Sequence, residues 1–80
     1  MKEFLVQINS IEDVKELVTS ATMLECDIDV LSGRYLVDAK SIMGLFSLDL
    51  GKPVTIQIHG TDELCDEFYS SIKHMVLQNQ

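Results

Sequence analysis

The sequence predicts an α+β fold in which a four-stranded antiparallel sheet carries three helices on one face. Four segments alternate apolar and polar residues with the period of a strand, and three segments place apolar residues three and four positions apart, as on one face of a helix. Their order along the chain is β-α-β-β-α-β-α. Because one face of such a sheet must be covered, we expect a two-layer, open-faced β-sandwich that forms a single domain over residues 1–80.

The strands follow from the alternation of apolar and polar residues. In the first strand Phe4, Val6 and Ile8 share one face. The pair Ser32-Gly33 is typical of a turn and predicts that the second and third strands form a hairpin. The four strands are expected at residues 3–8, 26–31, 34–38 and 53–59.

The helices follow from apolar stripes and capping residues. The first stripe begins at Ile11, and Ser10 with Asp13 three residues later resembles a capping box. Ser41 is expected to cap the second helix. In the last helix the apolar stripe continues through Val76. The three helices are expected at about residues 10–24, 41–50 and 62–77.

Charge and hydropathy exclude several classes of function. The chain carries 13 acidic and six basic residues, a formal net charge of −7. Nucleic-acid binding requires Lys and Arg to neutralise phosphates, and an anionic membrane surface would repel this chain. No apolar run approaches the roughly 20 residues of a membrane span, and no signal-peptide pattern follows Met1. We therefore expect a soluble cytoplasmic protein that binds neither nucleic acid nor membrane, with Cys26 and Cys65 reduced.

Residues 38–48, with the sequence DAKSIMGLFSL, resemble the signature of HPr, the histidine-containing phosphocarrier protein of the bacterial sugar phosphotransferase system. The likeness is dense over about residues 26–60, and the chain length and element order also match. The resemblance implies the strand order 1-4-2-3, whereas a ferredoxin-like module would have the order 4-1-3-2. It also implies protein partners of the phosphotransferase or carbon-control type.

One part of the family pattern is missing. HPr proteins carry a Gly-[aliphatic]-His-Ala-Arg-Pro loop before the first helix, and its histidine accepts phosphate from enzyme I. Counting back from Ser41 places that histidine on or near Ser10, with Ile11, Glu12 and Asp13 at the Ala, Arg and Pro positions. A relay needs a readily attacked phosphohistidine and positive charge to offset the phosphoryl oxygens, and a serine followed by acids supplies neither. We expect Ser10 to cap the helix, no residue to be catalytic and the protein not to be an enzyme.

The resemblance assigns two functions to the second helix. In Gram-positive relatives the serine that matches Ser41 is a regulatory phosphorylation site of an HPr kinase/phosphorylase. A phosphate there would lie at the positive end of the helix and near Lys40. The apolar residues that match Ile42, Met43 and Phe46 form an exposed docking patch in the family, and such patches mark interaction sites.

The remaining polar residues receive structural interpretations. His59 falls on the polar face at the end of the fourth strand, and His74 falls near the end of the last helix. Their spacing with Cys65 matches no common zinc pattern, so we predict no metal and no cofactor. Asp27 and Asp29 are expected on the solvated face of the sheet.

Three functions are compatible with these residues. The first is an HPr-like protein that has lost histidine phosphotransfer and acts as a regulatory or protein-interaction module through the helix at 41–50. The second is a phosphocarrier of the phosphotransferase system that uses an atypical acceptor. The third is a small ligand-binding module of ferredoxin-like type, which the run from Lys40 to Leu48 opposes.

Overall fold

The computed structural model describes residues 2–79, and side chains for residues 2–77. Along the chain lie strand β1 (Lys2–Val6), helix α1 (Ile11–Thr22), strands β2 (Asp27–Ser32) and β3 (Tyr35–Asp38), helix α2 (Ile42–Phe46), strand β4 (Val54–His59), helix α3 (Asp62–Ile72), a 3-10 turn (Lys73–Met75) and strand β5 (Val76–Asn79). The strands form one antiparallel sheet in the order β3-β2-β4-β1-β5.

The sheet order decides between two of the folds compatible with the sequence. Leaving β5 aside, the strands lie in the order 1-4-2-3 that the HPr resemblance implies. In a ferredoxin-like sheet β1 would pair with β3, but here it pairs with β4 and β5. The ferredoxin-like interpretation is therefore wrong, and the open-faced α+β sandwich is confirmed.

The end of the chain differs from the prediction. The apolar stripe predicts a last helix to residue 77, but α3 ends at Ile72, and the 3-10 turn leads into β5. β5 pairs with β1, and the Gln7 N–H donates to the Met75 carbonyl oxygen at 2.9 Å. Without β5 this edge of β1 would leave backbone N–H and C=O groups unpaired, so strand pairing outweighs continuation of the helix. The sheet thus has five strands instead of the expected four.

The helices begin at capping residues and end earlier than predicted. The hydroxyl oxygens of Ser10, Ser41 and Thr61 each accept a hydrogen bond from the backbone N–H three residues later, which satisfies a donor that the first turn leaves unpaired. Helix α2 has only five residues, because the chain turns at Ser47, and Leu48 then packs against the core. No helix within residues 2–79 is long and apolar enough to cross a membrane.

The core lies between the sheet and the helices. Alternate residues of β1, β2 and β4, such as Val6, Val30 and Ile56, are fully buried. They face Leu17 of α1 and Phe68 of α3, which are buried as well. Full burial of one such side chain stabilises the fold by about 1.5–3 kcal/mol. The strand and helix periods read from the sequence therefore identify these core residues correctly.

The β2–β3 hairpin places β3 beside α2. The turn contains Gly33, whose φ of 59° lies in the left-handed region that favours glycine. Val30 then pairs with Val37 across the hairpin. The Val37 side chain lies below Gly44 of α2, where an added Cβ would be 3.3 Å from its own Cβ. Glycine at this position lets α2 approach the sheet closely.

Candidate functional site

The loop between β1 and α1 contains the position where the HPr pattern places its histidine. Ser10 lies there in extended backbone, and its Oγ accepts a hydrogen bond from the Asp13 N–H at 3.2 Å. The Asp13 carboxylate in turn accepts from the Asn9 N–H at 2.9 Å. Glu12 and Asp13 occupy the first turn, where carboxylates stabilise the positive end of a helix. The predicted cap is confirmed, and the Ser10 hydroxyl is held in a structural hydrogen bond.

An open depression of about 450 Å³ lies beside this loop. The Gln7 side-chain amide donates to the Leu50 carbonyl oxygen at 3.3 Å and so ties the loop to the segment after α2. Ser10 and Phe46 therefore lie on one surface of the molecule. The lining residues are Gln7, Ile8, Asn9, Ser10, Ile11, Val14, Phe46, Leu50 and Gly51.

Helix α2 divides its apolar residues between two faces. Leu45 is completely buried and packs in the core with Leu48. Ile42, Met43 and Phe46 are exposed, Met43 to 77% and Phe46 to 46%. Met43 lies almost opposite Leu45, because two helical steps of about 100° each separate them. The exposure predicted for these three residues is confirmed, and together they form the α2 patch.

Ile11 extends the α2 patch across the depression. The apolar spacing of α1 predicts that Ile11 faces the core with Val14 and Leu17, and this prediction is wrong, because Ile11 is 58% exposed. Ile11 is the first residue of α1, and helical side chains lean toward the N-terminus, so it projects past the end of the core. Ile11 and Phe46 line the same depression. The sequence signal that could have indicated the exposure of Ile11 is its position directly after the capping residue Ser10.

Ser41 lies at the edge of the α2 patch. It is exposed, and its Oγ accepts a hydrogen bond from the Gly44 N–H at 3.1 Å, which confirms the predicted cap. The Lys40 ammonium, expected near Ser41, donates instead to the Leu24 carbonyl oxygen at 2.9 Å. Lys40 therefore binds the carbonyl end of the α1 region, where a cation is favourable.

Both histidines pair with carboxylates outside the depression. His59 Nε2 is 2.9 Å from Asp29 Oδ2 across β4 and β2, on the polar face of the sheet as expected. His74 Nε2 is 3.2 Å from Glu16 Oε2. Within the described residues, no group close enough to share an ion combines His59, Cys65 and His74. Among the described residues, no histidine therefore lines the depression beside Ser10.

The two cysteines lie near the end of β4, Cys26 just before β2 and Cys65 in α3, and both are free. Burial raises the pKa of the Cys26 thiol above its ordinary value, and Cys65 adds to this rise while Lys40 opposes it. Gly60 packs closely here, since a Cβ at this position would be 2.9 Å from Cys26 Sγ. A thiol with a raised pKa stays protonated near neutral pH, which is the opposite of an activated nucleophile.

The fold and the site define a small open-faced α+β sandwich of the phosphocarrier class, with a serine cap before α1 and an exposed apolar face on α2. The family model PTS-HPr, described as the PTS HPr component phosphorylation site, matches residues 13–76, and the chain belongs to this family. The matched region begins after Ser10. No curated protein sequence matches the chain significantly.

Solved structures of bacterial HPr proteins are similar to most of the chain. HPr-C-His from Thermoanaerobacter tengcongensis is 28% identical with a TM-score of 0.74, covering 91% of this chain and 92% of that one. Phosphocarrier protein HPr from Bacillus anthracis is 27% identical with a TM-score of 0.68, covering 86% and 93%. Crh from Bacillus subtilis, described as a catabolite repression protein that forms a domain-swapped dimer, is 28% identical with a TM-score of 0.63, covering 98% and 90%.

Proposed function

We propose that this chain is an HPr-like regulatory module that binds protein partners in the cytoplasm and does not relay phosphoryl groups. The observation that carries the proposal is the capped Ser10. On or near the position that the HPr pattern gives its histidine, the Ser10 hydroxyl caps α1, while the α2 patch stays exposed. A module of this kind acts by recognition and is not an enzyme.

The loop before α1 is unsuited to phosphoryl transfer. A transferring phosphoryl group needs positive charge around its equatorial oxygens. Glu12 and Asp13 supply negative charge and offset the partial positive charge at the start of α1. The imidazoles that could form a phosphoramidate, His59 and His74, are paired with carboxylates elsewhere. The carboxylates of Glu12 and Asp13, which stabilise the start of α1, thus repel the phosphoryl group of an incoming donor.

The docking surface combines the α2 patch with Ile11. Clustered exposed apolar side chains mark protein interaction sites. Ile11 and Phe46 line the depression, and the flexible Met43 side chain on the same helix as Phe46 adapts to the shape of a partner. Glu12 beside Ile11 and Asp49 after α2 add negative charge, so we expect a partner with an apolar centre and basic groups around it. Proteins of the phosphotransferase or carbon-control type fit the family, and the description of Crh as a catabolite repression protein supports a regulatory role.

Ser41 is the proposed regulatory phosphorylation site. Its hydroxyl is exposed at the edge of the α2 patch, within reach of an HPr kinase/phosphorylase. A phosphate would add about −1.5 to −2 charge beside Ile42. The Lys40 ammonium donates to the Leu24 carbonyl oxygen, so it would have to leave this bond to pair directly with the phosphate. The new charge should therefore act mainly on partner choice.

The test of docking compares two aspartate variants. Phe46→Asp places a charge in the α2 patch, and Leu36→Asp places the same charge on an exposed leucine of β3. Leu36 faces the open side of the sheet, because its neighbour Val37 packs toward α2. Titrated against purified phosphotransferase and carbon-control proteins, Phe46→Asp should weaken binding at least tenfold, and Leu36→Asp should bind like wild type. Equal effects of the two variants would contradict the assignment of the docking surface.

The test of regulation uses the kinase directly. With HPr kinase/phosphorylase and radiolabelled ATP, wild type and Ser10→Ala should be labelled, and Ser41→Ala should not. Label that persists in Ser41→Ala, or an unlabelled wild type, would show that Ser41 is not the site.

A further inference from the structure

Three metal-ligating side chains from two parts of the chain meet beside α1. Asp13 and Glu16 lie three residues apart, close to one turn, and so project from the same side of the helix. His74 reaches them from the 3-10 turn that follows α3. The ligand atoms of the three residues all lie within 4.8 Å of one another. Asp13 also accepts from the Asn9 N–H of the neighbouring loop, but none of the three side chains lines the depression. Zinc binding here can therefore be tested separately from partner docking.

We propose that Asp13, Glu16 and His74 bind a divalent transition-metal ion of the zinc class. Ligands about 2.0–2.1 Å from a tetrahedral zinc ion stand about 3.3 Å apart. His74 Nε2 and Glu16 Oε2 are already 3.2 Å apart. One Asp13 oxygen accepts from the Asn9 N–H, which fixes the carboxylate and leaves its second oxygen for an ion.

The donor set selects the kind of ion. One imidazole nitrogen with two carboxylate oxygens suits zinc, manganese, cobalt or nickel, whereas magnesium and calcium prefer oxygen donors throughout. Glu16 and His74 are partly exposed, so an ion can enter from solvent. Three protein donors leave at least one position for water. An ion would also offset the repulsion between two neighbouring carboxylates on a chain of net charge −7.

Metal binding at this site would join two distant segments. Asp13 and Glu16 belong to the first half of α1, and His74 directly precedes the last residue of the turn into β5. An ion that binds only the folded arrangement stabilises it increasingly as its concentration rises above the dissociation constant. The expected signature is a melting temperature that rises with zinc and not with magnesium.

The experiment is a zinc titration of the full chain by calorimetry, with thermal melts of the same samples. Wild type should bind one zinc ion, and His74→Gln and Glu16→Gln should each weaken binding at least tenfold. His59→Gln is the matched control, because His59 also pairs with a carboxylate but lies on the sheet. It should bind zinc within twofold of wild type. In nuclear magnetic resonance spectra, paramagnetic cobalt should broaden the amides of residues 12–17 and 73–75 first.

Several results would overturn the site. These are no zinc binding at millimolar concentration, equal affinity in wild type and His74→Gln, or loss of binding in His59→Gln. Cobalt broadening centred on Cys26 and Cys65 would place the ion at the thiols instead. If His74→Gln melts at a lower temperature without zinc, the missing zinc-dependent rise still distinguishes a lost ligand from a weakened fold.

Discussion

Replacing Phe46 by aspartate should remove partner binding at little cost to folding. Phe46 is 46% exposed in the α2 patch, whereas its neighbour Leu45 is completely buried. These two adjacent residues therefore mark the boundary between the exposed α2 patch and the core. Leu45→Ala serves as the positive control for loss of core packing.

The magnitudes follow from burial. Complete burial of a large apolar side chain contributes about 1.5–3 kcal/mol, so the roughly half-buried Phe46 contributes about 1 kcal/mol. Phe46→Asp should lower the free energy of unfolding by about that amount, as is usual for a surface position. Leu45→Ala removes a fully buried side chain and should cost about 2–5 kcal/mol.

Urea unfolding followed by circular dichroism measures both changes. With a slope of about 1 kcal/mol per molar urea for a domain of this size, Phe46→Asp should shift the midpoint by about 1 M and Leu45→Ala by at least twice as much. A loss of 3 kcal/mol or more in Phe46→Asp would show that Phe46 belongs to the core. The α2 patch would then lose its central residue, and any loss of binding would reflect unfolding.

Three further predictions concern local features. Ser10→Ala should cost about 1 kcal/mol and Ser10→Gly only a few tenths, measured by urea unfolding; equal losses would argue against the cap. Gly33→Ala should cost about 1 kcal/mol because φ is 59° there, and an unchanged midpoint would contradict this strain. Because burial raises the pKa of the Cys26 thiol, the midpoint of its alkylation profile should lie at a higher pH than that of a free cysteine. The folded pKa exceeds the unfolded one, so the free energy of unfolding should fall as pH rises through that range; an alkylation profile like that of a free thiol would refute the shift.

The sequence predicts the core and the caps because both depend on local patterns. The two-residue period places Val6 and Ile56 on the buried face, and Ser10 and Ser41 precede their helices as capping residues do. It fails at Ile11, where the helical period continues but the packed core does not. Whether a residue in the first turn of a helix is buried depends on where the core ends, and residue spacing alone does not predict that.

The last segment shows the same limit. Val76 continues the apolar stripe of α3, yet it belongs to β5 because an unpaired edge of β1 lies within reach. The proposed metal site joins residues far apart in sequence, Asp13 and Glu16 with His74. Their spacing matches no known ligand motif, so the sequence does not predict the cluster. The exposed α2 patch was predictable because the resemblance of residues 38–48 to the family supplied its residues, and the structure adds Ile11 as a further exposed apolar residue.

The central proposal is that this chain does not accept phosphate from enzyme I. It is tested most directly by incubating the chain with enzyme I and radiolabelled phosphoenolpyruvate, using a phosphocarrier HPr that retains its histidine as the positive control. We predict that the control becomes labelled and that this chain does not, because Ser10 is a helix cap beside two acids. Acid-labile, base-stable label on this chain would contradict the claim and would show that a histidine relay persists at another position.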